Sequence, residues 1–413
     1  MPKAWLGNTS PRAAISTKPV WDRVLALSVG LGWFALLYGP LLVLRPNRLA
    51  AGEGLRIWEI FDPLVPSEFT ELALLHGALL LLSLAALPVR SRVINTERLV
   101  LPVSWAGVVL LVLATGQGAR LVMDTATAFA RISLGWGFWV LLVSLGMICA
   151  DRFRSVGQPA GALATLLWLI GLAVLMAAGG LDSLALVKEY QARQGRFLSE
   201  LFAHLTITVL SVAASATAGI PLGLFLHVRR WMAPRAFLVL NVAQTIPSLA
   251  LFGLLMVPLS LLAEYFPVLE YMGVQGIGAA PAIIALTLYA LLPVVRNAYA
   301  GLASIDPAAV DAGMGMGMSK WQLLSGVTIP LALPAILGGI RIALVQSIGN
   351  AAVAALIGAG GFGVFIFQGL GQAAADLVLL GALPTVLLAV AADAFMQVAI
   401  SLVSPSHNQR NQT

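Results

Sequence analysis

Ten long apolar runs separated by polar segments constrain this chain more than any other feature. They fall near 24–44, 70–88, 99–118, 133–150, 160–178, 201–226, 236–262, 278–299, 329–355 and 378–402. A helix needs about 20 apolar residues to cross the hydrocarbon of a bilayer. The runs have that length, so the expected fold is all-α: a polytopic membrane protein of about ten transmembrane helices. Composition excludes a soluble alternative. Only 10% of the residues are charged, against about a quarter in soluble proteins. The net charge of +6 leaves no nucleic-acid footprint, because the basic residues are scattered between apolar runs and form no stripe. The first run is too long for a signal peptide and lacks a small-x-small cleavage site, so it counts as a span. The single cysteine, Cys149, permits no disulfide within the chain and reads as core filler.

Lysines and arginines set the orientation. With the N-terminus inside, fifteen of them fall in inner segments and eight in outer ones, and the outer segments near 263–277 and 356–377 hold none. Both termini are therefore expected in the cytoplasm. The segment 179–200, "GGLDSLALVKEYQARQGRFLSE", is a long polar interruption that can form a short amphipathic helix on the outer surface. It divides the chain into a cytoplasmic tail (1–22), a five-helix region (23–178), the periplasmic linker (179–200), a second five-helix region (201–404) and a short tail (405–413). Five-plus-five inverted repeats build some secondary transporters. Here the second half has prolines in or beside its spans, at Pro221, Pro247, Pro258, Pro293 and Pro384, and the first half has no matching set of broken helices.

The stretch "DPAAVDAGMGMGMSKWQLLSGVTIP" (306–330) interrupts the apolar pattern on the inner side. Asp306 can cap a helix whose first turn holds Pro307. Residues 308–316 can then be helical, and Gly317 can supply the left-handed turn that ends them. Ser319 through Gln322 reads as a capping box opening a second short helix, and Pro330 falls near the start of the next span. Short connectors suffice between neighbouring helices. An ordered hairpin over 306–326 therefore suggests a docking surface.

These residues resemble the EAA loop of permease subunits in bacterial ATP-binding-cassette importers. That pattern reads Glu-Ala-Ala, three residues, Gly, nine residues, Ile-x-Leu-Pro. Here it stands as Asp311-Ala312-Gly313, Gly317 and Val327-x-Ile329-Pro330, with the spacing intact. "HLTITVLSVAASATAGIPLGLFL" (204–226), "QTIPSLALFGLL" (244–255) and "LIGAGGFGVFIFQGL" (356–370) resemble the osmoprotectant branch, which serves glycine betaine, choline and carnitine. The layout, with an extra membrane half in front, resembles the larger permease form of that branch. The resemblance implies a five-helix permease core in a bacterial inner membrane. It assigns Asp311, Ala312, Gly313, Gly317, Lys320, Trp321 and Pro330 to coupling with an ATPase. It further implies separate ATP-binding-cassette ATPase subunits, a second permease chain and a periplasmic solute-binding protein. No cofactor is expected on this chain, and ATP would be used by the partner subunits: no G-x-x-x-x-G-K-[ST] sequence occurs.

Polar residues inside spans are costly and usually face the protein interior. Asn241, Gln244, Thr245 and Ser248 recur on one helical face of span seven, and Ser347 and Asn350 form a similar pair on span nine. These faces either line a solute path or bond neighbouring helices. Arg341 and Asp393 each lie about ten residues, hence about 15 Å, from the inner end of their spans. Equal depth permits an ion pair; the alternative is that one charge contacts solute or a gate. "GAGGFG" (358–363) spells a nucleotide fingerprint but has no βαβ unit around it, so its glycines read as a tight turn or re-entrant segment. The four histidines show no ligand spacing, and no metal site is expected. Within the importer class an amino acid or other small solute is the alternative cargo; outside it, an ion-coupled secondary transporter is the first rival reading and a membrane-embedded enzyme the second. Neither has a use for the hairpin, and no catalytic set stands out on facing spans.

Overall fold

The computed structural model describes residues 21–47, 50–61, 76–77, 96–127, 129–156, 158–271 and 273–404. Apart from His76 and Gly77, the expected span 70–88 lies outside them, as do 1–20 and the tail 405–413. The described chain is mostly helical. Seven helices in it are long and apolar enough to cross a membrane: Pro102–Thr125, Ala160–Ala177, Gln194–Val228, Ser248–Tyr265, Ala279–Ala303, Lys320–Ala351 and Ala375–Val403. Two shorter apolar helices, Leu25–Tyr38 and Trp136–Ala150, accompany them.

The chain divides into two compact units. The first comprises Met1–Val43, Gly54–Gly118 and Leu134–Ser155. It holds α1 (Trp21–Tyr38), α2 (Ile57–Ile60), most of α3 (Thr96–Thr125) and α4 (Trp136–Val156). The Ser144 hydroxyl donates to the Ser28 carbonyl at 2.5 Å, and Cys149 Sγ lies 3.3 Å from Ser104 Oγ. Two expected spans are shorter than the apolar runs that announced them. Run 24–44 stops being helix at Tyr38, where Gly39 and Pro40 follow and proline cannot continue the ladder. Run 133–150 becomes helix only at Trp136. A Cβ on Gly135 would stand 2.1 Å from the Pro40 carbonyl oxygen, so the backbones meet where only glycine fits.

Three short strands are a departure from the all-α expectation. β1 (Leu42–Arg45), β2 (Glu53–Leu55) and β3 (Arg131–Leu134) pair in the order β2-β1-β3. Such three- and four-residue strands are too brief to leave an alternation in the sequence.

The second unit comprises Leu44–Glu53, Ala119–Ser133 and Val156–Thr413. Its helices are α5 (Gln158–Ala177), α6 (Ala185–Ala192), α7 (Gln194–Val228), α8 (Ala233–Thr245), α9 (Ser248–Tyr265), α10 (Pro267–Tyr271), α11 (Ala279–Ala303), α12 (Pro307–Gly315), α13 (Lys320–Leu323), α14 (Ile329–Ala351), α15 (Gly363–Gly371) and α16 (Ala375–Val403). Helix α11 is the hub, with α7 and α14 both packed along it; α16 packs on α14, α15 and α5. Gly219 and Gly223 explain the closeness of α7 and α11. A Cβ on Gly223 would stand 2.7 Å from the Ala298 Cβ, and one on Gly219 2.9 Å from Val294. This small-xxx-small spacing is how membrane helices bring backbones together without a hydrophobic drive.

Candidate functional site

The hairpin between α11 and α14 is built from local bonds. The Asp306 carboxylate accepts from the Ala308 N–H at 2.9 Å, and Pro307 opens α12. Gly317 has φ +78°, the left-handed value that ends a helix cheaply only at glycine. Ser319 and Gln322 close a reciprocal capping box: Ser319 N–H donates to Gln322 Oε1 at 2.8 Å, and Gln322 N–H to Ser319 Oγ at 3.4 Å. A single π-helical turn, Leu324–Thr328, then joins α13 to α14, with Pro330 in the first turn of α14.

Gly313 is buried inside this hairpin. A Cβ there would stand 2.6 Å from Leu323 Cδ1, so the glycine lets α12 close on α13. Asp311, Ala312, Gly317, Lys320, Trp321 and Pro330 are exposed. Trp321 is 78% exposed and Met316 72%. A capped, glycine-tightened hairpin thus presents an indole and a thioether outward, beside an unpaired carboxylate at Asp311 among the described residues.

The expected single span 236–262 is two helices. Pro102, Pro221, Pro258, Pro293, Pro334 and Pro384 all lie inside continuous helices, whereas Pro247 separates α8 from α9. Ile246 takes the extended conformation (φ −69°, ψ 126°) that a residue before proline favours. The carbonyl freed by Pro293 and one left open at the Pro247 break are bonded across the gap. Pro293 has no N–H, so the carbonyl four residues earlier, on Tyr289, loses its helical donor. Gln244 Nε2 donates to that carbonyl at 2.7 Å. In return the Tyr289 hydroxyl donates to the Ile246 carbonyl at the Pro247 break, at 2.5 Å. Each proline-disrupted segment thereby satisfies the other.

The remaining polar residues of these spans are placed differently. Thr245 returns its hydroxyl to the Val242 carbonyl at 2.7 Å, and Arg296 reaches Asn241 Oδ1 at 3.5 Å. Asn241 and Thr245 are exposed, Ser248 and Asn350 are half-buried, and Ser347 is buried. Arg341 and Asp393 meet. Arg341 Nε donates to Asp393 Oδ1 at 2.5 Å and Nη2 to Oδ2 at 2.9 Å; Gln397 Nε2 adds a bond to Oδ2 at 2.8 Å. The fork geometry matches carboxylate to guanidinium.

The glycine-rich turn is a locked one. Gly358, Gly360 and Gly361 have φ of +79°, +79° and +88°. The Gly361 N–H donates to Glu200 Oε2 at 2.8 Å, and the Phe362 N–H approaches His204 Nδ1 at 3.4 Å. Nε2 of the fully buried His204 lies 3.0 Å from the Ile348 carbonyl. With Nδ1 accepting and Nε2 donating, the ring ties α7, α14 and the turn together. Helix α15, which follows, has nine residues and spans about 14 Å, too little to cross.

At this same end, away from the hairpin, Asp376 is buried and accepts from the Ser133 hydroxyl at 2.9 Å. Glu189, also buried, pairs with Arg131 at 2.5 Å and with Arg193. Burial, and then the Arg131 charge, hold the neighbouring Lys188 below the ordinary lysine range. Sequence reasoning missed Tyr289, Glu200, His204, Ser133 and Asp376. Legible traces existed for three: Tyr289 stands four residues before Pro293, and Glu200 and His204 share one helical face at the head of an apolar run.

With this geometry in view, comparison with known proteins gives a class. The family described as "Binding-protein-dependent transport system inner membrane component" matches residues 216–404. A second, "ABC transporter permease YehY, N-terminal domain", matches residues 22–187. The chain belongs to the binding-protein-dependent permease family, the membrane subunits of ATP-binding-cassette transporters. Among its relatives is Osmoprotectant import permease protein OsmW of Salmonella typhimurium, 42% identical over 199 residues that cover 48% of this chain and 87% of that protein. Another is Glycine betaine/carnitine/choline transport system permease protein OpuCD of Bacillus subtilis, 40% identical over 208 residues, 50% of this chain and 84% of that protein. A solved structure of the MetNI methionine ABC transporter, inward facing, is 22% identical with a TM-score of 0.44, covering 52% of this chain and 99% of the matched one.

Proposed function

We propose that this chain is the membrane-spanning subunit of an ATP-driven importer for glycine betaine or a related quaternary ammonium osmoprotectant. The relatives named for osmoprotectant, betaine, carnitine and choline transport support the solute class. On this reading the chain crosses the bacterial inner membrane ten times, with both termini in the cytoplasm and the five-helix permease core at 201–404. It works with a second permease chain, ATPase subunits and a periplasmic solute-binding protein, and binds no cofactor itself.

The observation that carries the coupling role is the hairpin over 306–326. Its fold is fixed from within by two caps and Gly313, so its exposed face is free for a partner. Asp311, Ala312, Gly317, Lys320, Trp321 and Pro330 form or flank that face, and Gly313 sets its shape. Movement of the ATPase subunits on binding ATP would push α11 and α14 through it. Asn241, Thr245, Ser248 and Asn350 are assigned to the solute path, while Gln244 holds the break at Pro247; Ser347 packs inside the core. Reconstitution of the chain with its ATPase and binding protein in proteoliposomes tests the proposal. Uptake of labelled glycine betaine is expected only with ATP inside and binding protein outside. Uptake by the chain alone without ATP, or none under the full conditions, would overturn it.

A further inference from the structure

The Arg341–Asp393 pair lies where a purely structural ion pair fits poorly. It sits in the middle of two apolar helices, yet 28% of the arginine side chain and 35% of the aspartate remain exposed. Charges midway along membrane-spanning helices almost always face the bundle interior or a water-filled cavity. A cavity of about 470 Å³ opens beside them, lined by Asn297 from α11, by Gly338, Arg341 and Gln346 from α14, by Asp393 from α16 and by two aliphatic side chains. That size is within the range of small-molecule pockets, roughly 300–1,000 Å³. Gly338 faces open space, with nothing within 4 Å of where its Cβ would stand, whereas a Cβ on the adjacent Gly339 would meet Asn297 at 2.7 Å. One glycine packs the helices and the other leaves room.

From this geometry, and resting on the importer reading above, we propose that the cavity is a transit site for a zwitterion. Its carboxylate would take Arg341 and its quaternary ammonium would take Asp393. The chemistry matches on both sides. A zwitterion such as glycine betaine carries opposite charges separated by one methylene, and neither can be left unpaired in a low-dielectric span. In the empty state the two protein charges satisfy each other. When the solute enters, each charge exchanges its partner, so the one protein ion pair gives way to two protein–solute contacts and no bare ion is created. A lone inorganic ion cannot make that exchange, because it satisfies one side and strands the other. Gln397 Nε2, which donates to Asp393 Oδ2 at 2.8 Å, would keep the carboxylate bonded while the exchange occurs.

An apolar replacement separates this role from bracing, because it removes both charges together and leaves neither unpaired. The double variant Arg341→Met/Asp393→Leu is tested in the complete importer in proteoliposomes. It is expected to co-purify with the ATPase subunits at the wild-type ratio while glycine betaine uptake falls at least tenfold. Uptake within twofold of wild type would show a structural pair and overturn the proposal. Should that variant fail to assemble, Gly338→Leu fills the cavity with both charges kept. It should lower uptake at least fivefold, and uptake within twofold would likewise overturn the proposal. Absence of glycine betaine uptake by the wild-type importer would instead sink the functional reading, and this inference with it.

Discussion

The hairpin over 306–326 and the broken span around Pro247 are both interruptions of helix, but they are held in opposite ways. In the hairpin the partners are sequence neighbours: Asp306 with Ala308, Ser319 with Gln322, Thr328 with the Leu323 carbonyl at 3.2 Å. At the break they come from another helix, with Gln244 on the Tyr289 carbonyl and the Tyr289 hydroxyl on the Ile246 carbonyl. A locally held element keeps its shape while the bundle around it moves, which suits a lever. A break held from outside keeps its shape only while its neighbour stays in place, which suits a part of the bundle that must move as one with α11.

This contrast makes stability and coupling separable. The largest stability loss is expected where partners are non-local. Gln244→Ala with Tyr289→Phe strips the Tyr289 and Ile246 carbonyls of their donors. At about 1–3 kcal/mol for each unsatisfied buried group, the pair should lower the thermal unfolding midpoint of the detergent-purified chain by several degrees. An unchanged midpoint would break the comparison at once. Next comes Gly361→Ala. The new Cβ would sit at φ +88° and 3.0 Å from His204 Nδ1, at a cost of about 1–3 kcal/mol, read in the same melt. Ser319→Ala removes the capping box, worth about 1 kcal/mol locally. It should leave the global midpoint in place and reduce ATP-driven uptake; a fall in the midpoint equal to that of Gly361→Ala would show that the hairpin is not an independent element. Thr245→Ala removes a bond to its own helix at an exposed position, and should move stability by no more than about 0.5 kcal/mol.

The same contrast explains what could be read from the sequence. The hairpin was legible to within a residue, because caps, a left-handed glycine and a capping box are rules about neighbours. Helix α12 runs to Gly315, one residue short of the expected 316. Most spans were legible from apolar length. The division of 236–262 was not, because Pro247 looks the same as Pro258, which sits unbroken in α9; the difference lies in Tyr289, which is distant in sequence. The short sheet was hidden for the same reason, since its strands are set by Gly39, Pro40 and Gly135 meeting in space. Arg341 and Asp393 could be placed at one depth from helix rise alone, but the cavity beside them depends on Gly338 facing open space, which spacing does not reveal.

The lever itself is best tested by chemistry at Trp321. In a Cys149→Ala background, Trp321→Cys is compared with Tyr271→Cys, a 94% exposed position after α9. In the assembled importer, the residue 321 thiol should cross-link to an ATPase subunit and resist a membrane-impermeant reagent applied from the periplasm. The residue 271 thiol should do the reverse. Labelling of position 321 from the periplasmic side, or an assembled complex with no cross-link there, would contradict the account.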